Sequence, residues 1–279
     1  MTTTMIRRPT PLRVEAAPRT ATVLTLVVIV AATIASIGGL AVHGLYTDDT
    51  AWATAALRGG DLVTLILVVP GLIAATILAR RGSVRARLIW GSLLGYGVYN
   101  FAFYVFGAAF NDLFLAHVVA FSASIFALIA WATELDARAI AARFDPRTPR
   151  RAVSALLLVV AAVFATLWTT FSLTYAVTGH LTLGAATLAG MHLVFALDLS
   201  LMAPSMAVGG IWLWRRKPWG YTVATALCVF GAAYQANLAA AGVFQSNAGV
   251  AGAKVVDPMG VAVLAAFVVA GSAMLRRVR

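Results

Sequence analysis

The stretch "DLVTLILVVPGLIAATILARR", residues 61–81, opens on an aspartate, closes on two arginines and carries no charge between them. As an α-helix, the 18 uncharged residues 62–79 extend about 27 Å at roughly 1.5 Å per residue. That is close to the roughly 30 Å of hydrocarbon in a bilayer. Leu, Ile and Val fall on every face of such a helix, so a soluble amphipathic helix is not the reading. A membrane span is, because an open strand would leave its backbone polar groups unsatisfied in lipid.

Outward from this run the same pattern recurs. Its closest counterpart is "DLSLMAPSMAVGGIWLWRR", residues 198–216, again with Asp-Leu at the head, one internal proline and Arg-Arg at the foot. Together, eight apolar runs can be marked at about 21–43, 62–79, 88–109, 114–133, 153–177, 187–213, 219–243 and 258–275. The composition agrees: 61% hydrophobic, 11% charged and a mean hydropathy of +0.90, far from a soluble domain. Strand barrels would show short alternating segments, and these runs do not alternate. The expected fold is all-α, a polytopic membrane bundle of eight transmembrane helices. The first run is too long for the core of a signal peptide and is expected to stay as a span.

A net charge of +11 would fit a nucleic-acid partner, but its distribution does not. The N-terminal arm, every second connection and the C-terminal tail hold 19 of the 21 basic residues; only Arg58 and Lys254 lie elsewhere. That is the positive-inside pattern of a chain with both termini in the cytoplasm. The expected location is the cytoplasmic membrane of a bacterium. Its expected partners are the bilayer, anionic headgroups at the cytoplasmic face and a small solute or ion, with no nucleic acid. The oligomeric state is not indicated. Cys228 is the lone cysteine, so there is no intrachain disulfide.

The chain divides near its middle. Residues 1–20 read as a disordered cytoplasmic arm, 21–135 as a first four-span unit, 136–151 as a cytoplasmic connection and 152–279 as a second four-span unit. An offset of 137 residues brings Asp61 onto Asp198, Asn100 onto Asn237 and His43 onto His180. Polar residues are scarce inside spans, so their coincidence points to a tandem 4+4 repeat. Four spans per unit give both copies the same orientation, with the axis along the membrane normal.

Asp61 and Asp198 carry the sharpest functional signal. Asp61 is 19 residues before Arg80 and Asp198 is 17 before Arg215, so each lies about 26–28 Å from the arginines if helical. Asp61 has a second reading as the N-terminal cap of its span, and the pieces just before both acids read either as interfacial segments or as parts of the spans. A carboxylate at mid-span costs about 2.5–3.5 kcal/mol on insertion scales, so two at matching positions are candidates for a site. Asn100, Asn237, Tyr99, Tyr234, His117, His180 and His192 rise to the same end and complete the candidate ligand-binding or coupling set. All belong to one half of the membrane, which favours an outward-facing cavity. Trp52, Trp90, Trp214 and Trp219 read as interface anchors. There is no HExxH or cysteine cluster for a metal, no nucleophile motif, no phosphate loop and no expected cofactor.

The segments "RRGSVRARLIW", "YGVYNFAFYVFG" and "FNDLFL" resemble an uncharacterised group of bacterial multi-pass membrane proteins, over spans two to four. The resemblance implies no activity. Three classes of function fit the residues. A carrier or permease would use the two aspartates for coupling, and a binding or assembly subunit would need no cavity. A membrane enzyme would gather histidines around Asp198.

Overall fold

The computed structural model describes residues 19–46, 49–184 and 186–279; the expected disordered arm lies almost wholly outside them. Among the described residues there are helices and no strands. In order they are α1 (Arg19–Ala41), α2 (Ala51–Val63), α3 (Val69–Arg80), α4 (Val84–Phe106), α5 (Phe114–Thr133), α6 (Ala137–Ala141), α7 (Arg150–Thr178), α8 (Leu188–Leu197), α9 (Ala203–Trp214), α10 (Pro218–Asn247) and α11 (Pro258–Arg276). Wide π turns, Thr64–Val68 and Asp198–Met202, join α2 to α3 and α8 to α9 into two continuous rods.

All eight apolar runs fall on helices, and among the described residues seven helices are long and apolar enough to cross a membrane. This fits a multi-pass membrane protein. The remaining run is α4, as long as its neighbours at 23 residues but enriched in Tyr, Gly and Asn. Exposure is inverted relative to a soluble fold. Val30, Ile66, Val159 and Val177 face outward, while Thr25, Ser36, Asn100, Asp61 and Asp198 are buried. Small and polar residues inside such a bundle let helices approach and hydrogen-bond, because burying apolar surface gains little when the solvent is lipid.

The α2–α3 rod corrects one sequence boundary. The span marked from residue 62 begins at Ala51, where Thr50 accepts a hydrogen bond from the Ala53 N–H at 3.2 Å. Asp61 therefore sits about 15 Å into a helix and caps nothing. The segment before Asp198 is likewise helical from Leu188, capped by Thr187. Local polarity delayed the sequence reading at Ala51–Arg58, although a helix satisfies its own backbone whatever its side chains.

Both π turns stand two residues before a proline, Pro70 or Pro204. A proline ring clashes with the carbonyl four residues back and donates no hydrogen bond. The wide turn absorbs this, with Val69 N–H reaching Thr64 and Ala203 N–H reaching Asp198, each five residues back. These turns, the prolines and the starts of α4 and α10 recur 134 residues apart, three short of the offset at which the polar residues coincide.

The first four rods form a ring: α1 packs on α5, α5 on α4, α4 on α3, and α1 on α2 and α3. In the second set α7 packs on α9, α9 on α10 and α10 on α11, and α7 does not pack along α11. α10 holds the two sets together through α2 and α4. A Cβ on Gly59 of α2 would collide with the Ala240–Ala241 backbone of α10, so the two backbones touch there.

Backbone and side-chain hydrogen bonds cross the arginine-rich end. Val278 pairs antiparallel with Phe144, and Asp145 N–H and Arg279 N–H bond the carbonyls of Arg277 and Arg143 at 2.9 and 3.1 Å. From α4, the Arg85 guanidinium donates twice to the Val278 carbonyl, at 3.0 and 2.9 Å. The C-terminal strap thus ties the second set of helices to the first.

Candidate functional site

Away from the arginines the two sets part, leaving a cavity of about 370 Å³ between α2, α4, α7, α8 and α10. Its floor is buried and polar: Asp198, Asn100 and Asn237. Half-buried Trp52, Met191 and Gln245 stand at the rim. Small residues set the approach of the two sets there. A Cβ on Gly190 would stand 3.4 Å from the Trp52 ring, and one on Gly107 would stand 2.9 Å from Leu193.

Asp198 opens the second π turn, and its carboxylate is 2% exposed. One oxygen accepts from the Tyr99 hydroxyl at 2.6 Å and the other from the Trp168 indole N–H at 2.9 Å. Tyr99 comes from α4 and Trp168 from α7, so the acid joins both sets of helices. Rings enclose it: Trp168 stacks on Phe195 at 4.5 Å, and Tyr99 meets Tyr234 edge-on at 5.0 Å. Both donors are neutral. A bare carboxylate in low dielectric needs every acceptor position answered, and these two donors leave further lone pairs free.

Next to the acid runs an amide chain. Asn237 donates to the Asn100 carbonyl oxygen and to the Tyr96 hydroxyl, both at 2.9 Å, and Asn100 donates to Thr64 at 3.4 Å. The two asparagines aligned by sequence are therefore in direct contact across the seam.

Asp61 is elsewhere. It is 1% exposed, lies inside the ring of the first four rods and does not line the cavity. Tyr46 donates to it at 2.9 Å, and Gly39 lies so close that any Cβ there would strike the carboxylate. Tyr104 forms the partition: it lines the cavity, bonds the Leu57 carbonyl at 2.7 Å and stacks on His117 at 4.7 Å. Tyr46 also lines a second cavity of about 390 Å³ with Asp49, Thr54 and Arg58.

The histidines do not gather. His117 is fully buried behind Tyr104 with neither ring nitrogen partnered, whereas His180 and His192 are exposed. No histidine is among the described lining residues of the cavity, and no three potential metal ligands cluster among the described residues. The structure thus brings together Asp198, Tyr99, Tyr234, Asn100 and Asn237 and leaves out Asp61 and the three histidines.

Sequence reasoning missed Trp168, Tyr96, Phe164 and Tyr46. Trp168 had a legible signal, since an indole deep within an apolar run needs a buried acceptor. Trp214 and Trp219 are exposed, and the interface-anchor reading is corrected for two other tryptophans. Trp90 is wholly buried and donates to Thr25 at 2.9 Å, and Trp52 stands on the cavity rim.

No known protein family, curated protein or solved structure matches the chain.

Proposed function

We propose that the chain is a carrier for a small solute, spanning a bacterial cytoplasmic membrane eight times with both termini inside. The seam between the two sets of helices carries this reading. It is sealed by the strap at the arginine-rich end and open to a polar-floored cavity at the other. Carriers bind between two structurally related units that rock about a fixed site. Here residues 21–135 and 152–279 are those units, a tandem repeat whose equivalent rods carry the same proline and wide turn. The cavity then faces outward, and Asp198, Asn100 and Asn237 are its solute contacts. α4 counts as the eighth span because α3 ends among the arginines and α5 starts at the opposite end. The connecting helix has to cross the same thickness.

Gln235 lines the cavity and supplies the test. In a Cys228→Ala background, Gln235→Cys is treated with a membrane-impermeant maleimide in whole cells and in inverted vesicles. A carrier is labelled from both faces, and labelling from outside alone indicates a binding protein. No labelling from either face removes the open cavity and the reading with it. Reporter fusions after Arg87, Arg147 and Lys217 should report cytoplasm, and those at Asp112 and Asn247 the outside.

A further inference from the structure

The lining of the central cavity is chemically one-sided. Asp198 is the only carboxylate among its described lining residues, and they include no lysine, arginine or histidine. Around it stand the rings of Trp52, Phe103, Tyr104, Phe164, Trp168 and Tyr234. The carboxylate meets only neutral donors, Tyr99 and Trp168. The described lining therefore supplies negative charge and aromatic faces but no counter-charge. An ion pair needs the missing partner, and a ligand can bring it.

Ligand chemistry follows from the neighbours. A hard metal cation takes six or more oxygens at close range, whereas Asp198 is flanked by rings and by groups that point hydrogens at it. Aromatic faces attract an ammonium group, more strongly when desolvated. Leu57, Val194, Leu238 and four alanines offer an apolar wall for a hydrocarbon body, and the paired amides Asn100 and Asn237 a second polar contact. A cavity of about 370 Å³ is within the range of small-molecule sites.

We propose that the cavity binds a small amphipathic organic cation, its ammonium on Asp198 and its apolar body among the rings. This assignment rests on the reading of the cavity as a solute site.

Purified protein in phosphatidylcholine nanodiscs, with empty discs as the partition control, is titrated with three probes of one shape. These are 2-phenylethylammonium, the neutral 2-phenylethanol and the anionic 3-phenylpropanoate, followed by calorimetry and tryptophan fluorescence. The ammonium should bind saturably and about tenfold or more tightly than the alcohol, as expected for a charge pair backed by ring faces, with the carboxylate not binding. Asp198→Asn should bring ammonium and alcohol to comparable affinity. Where that variant fails to fold, Phe164→Leu provides the second measurement and should weaken the ammonium more than the alcohol. Equal binding of ammonium and alcohol by the native protein overturns the cation assignment and leaves a solute cavity. So does preference for the anion. Absence of binding by all three probes also overturns it, and the labelling of Gln235→Cys then decides separately whether the carrier reading survives.

Discussion

Asp61 and Asp198 are built from the same parts and end in different chambers. Each lies on a long rod broken by a wide turn ahead of a proline. Asp198 is the first residue of its turn, whereas Asp61 precedes its own by three. Three residues of helix amount to about 4.5 Å of rise and a rotation of about 60° from register. That shift turns Asp61 into the closed ring beneath Tyr46 and Asp198 toward the open seam beside Tyr99 and Trp168. Their surroundings differ too, because α1 closes on α5 in the first set whereas α7 does not pack along α11 in the second. A carboxylate's role in such a bundle is therefore set by its helix face and by whether the surrounding ring closes.

Severing the two sets should have the largest effect. Gly59→Leu puts a side chain where α2 meets the α10 backbone, and overpacking of this kind should cost about 3 kcal/mol. Thermal unfolding in detergent measures it; an unchanged Tm would mean that α2 and α10 do not hold the sets together.

The two tyrosines sharpen the comparison itself. Tyr46→Phe removes the hydroxyl donor to an enclosed carboxylate and should cost about 2 kcal/mol, whereas Tyr99→Phe should cost about 1 kcal/mol, because Asp198 retains Trp168 and faces a cavity that water can enter. Equal losses of Tm would erase the distinction between the chambers.

Next comes the strap. Arg85→Ala removes both hydrogen bonds to the Val278 carbonyl and should cost about 1 kcal/mol. More telling is access: labelling of Gln235→Cys from the cytoplasmic face should rise. A lower Tm with unchanged labelling would make the strap a fastening without a gating role.

Arg279→Ala should do least. Its ion pair with Asp145 spans 3.3 Å with the arginine 83% exposed, and exposed pairs contribute little. Asp145 is still informative about pH. The Arg147 N–H, followed by the charges of Arg277, Arg279 and Arg147, holds its carboxyl below the ordinary carboxylate range. A depressed folded value means that this contribution is complete above the unfolded pKa of about 3.9 and lost as pH falls through the folded one. Hydrogen exchange at Val278 and Arg279 should be flat from neutral pH to about 4 once corrected for intrinsic rates, and quicken only below. Quickening already near pH 6 would assign the strap to another group.

Much of the architecture could be read along the chain. The eight runs coincide with helices because apolar length is a local property. The described arginine clusters lie at or between helix termini because charge is confined to the ends of the runs. Asn100 and Asn237 were paired by their spacing, and they touch. The pairing of Asp61 with Asp198 rests on the same spacing, yet the two wide turns recur three residues short of it. Two wide turns, invisible in the composition, account for the difference in face.

Sequence alone thus determined the helical class, the positions of the runs and the charge asymmetry of the ends, all of which follow from transfer of local side chains between water and hydrocarbon. Only the tertiary structure decided which polar side chains share a chamber. Helix rotation and closure depend on contacts between distant residues, Gly59 on Ala240 and Ala241, Trp168 and Tyr99 on Asp198, Arg85 on Val278. In lipid, where burying one apolar face in place of another gains little, those small-residue and polar contacts choose the arrangement.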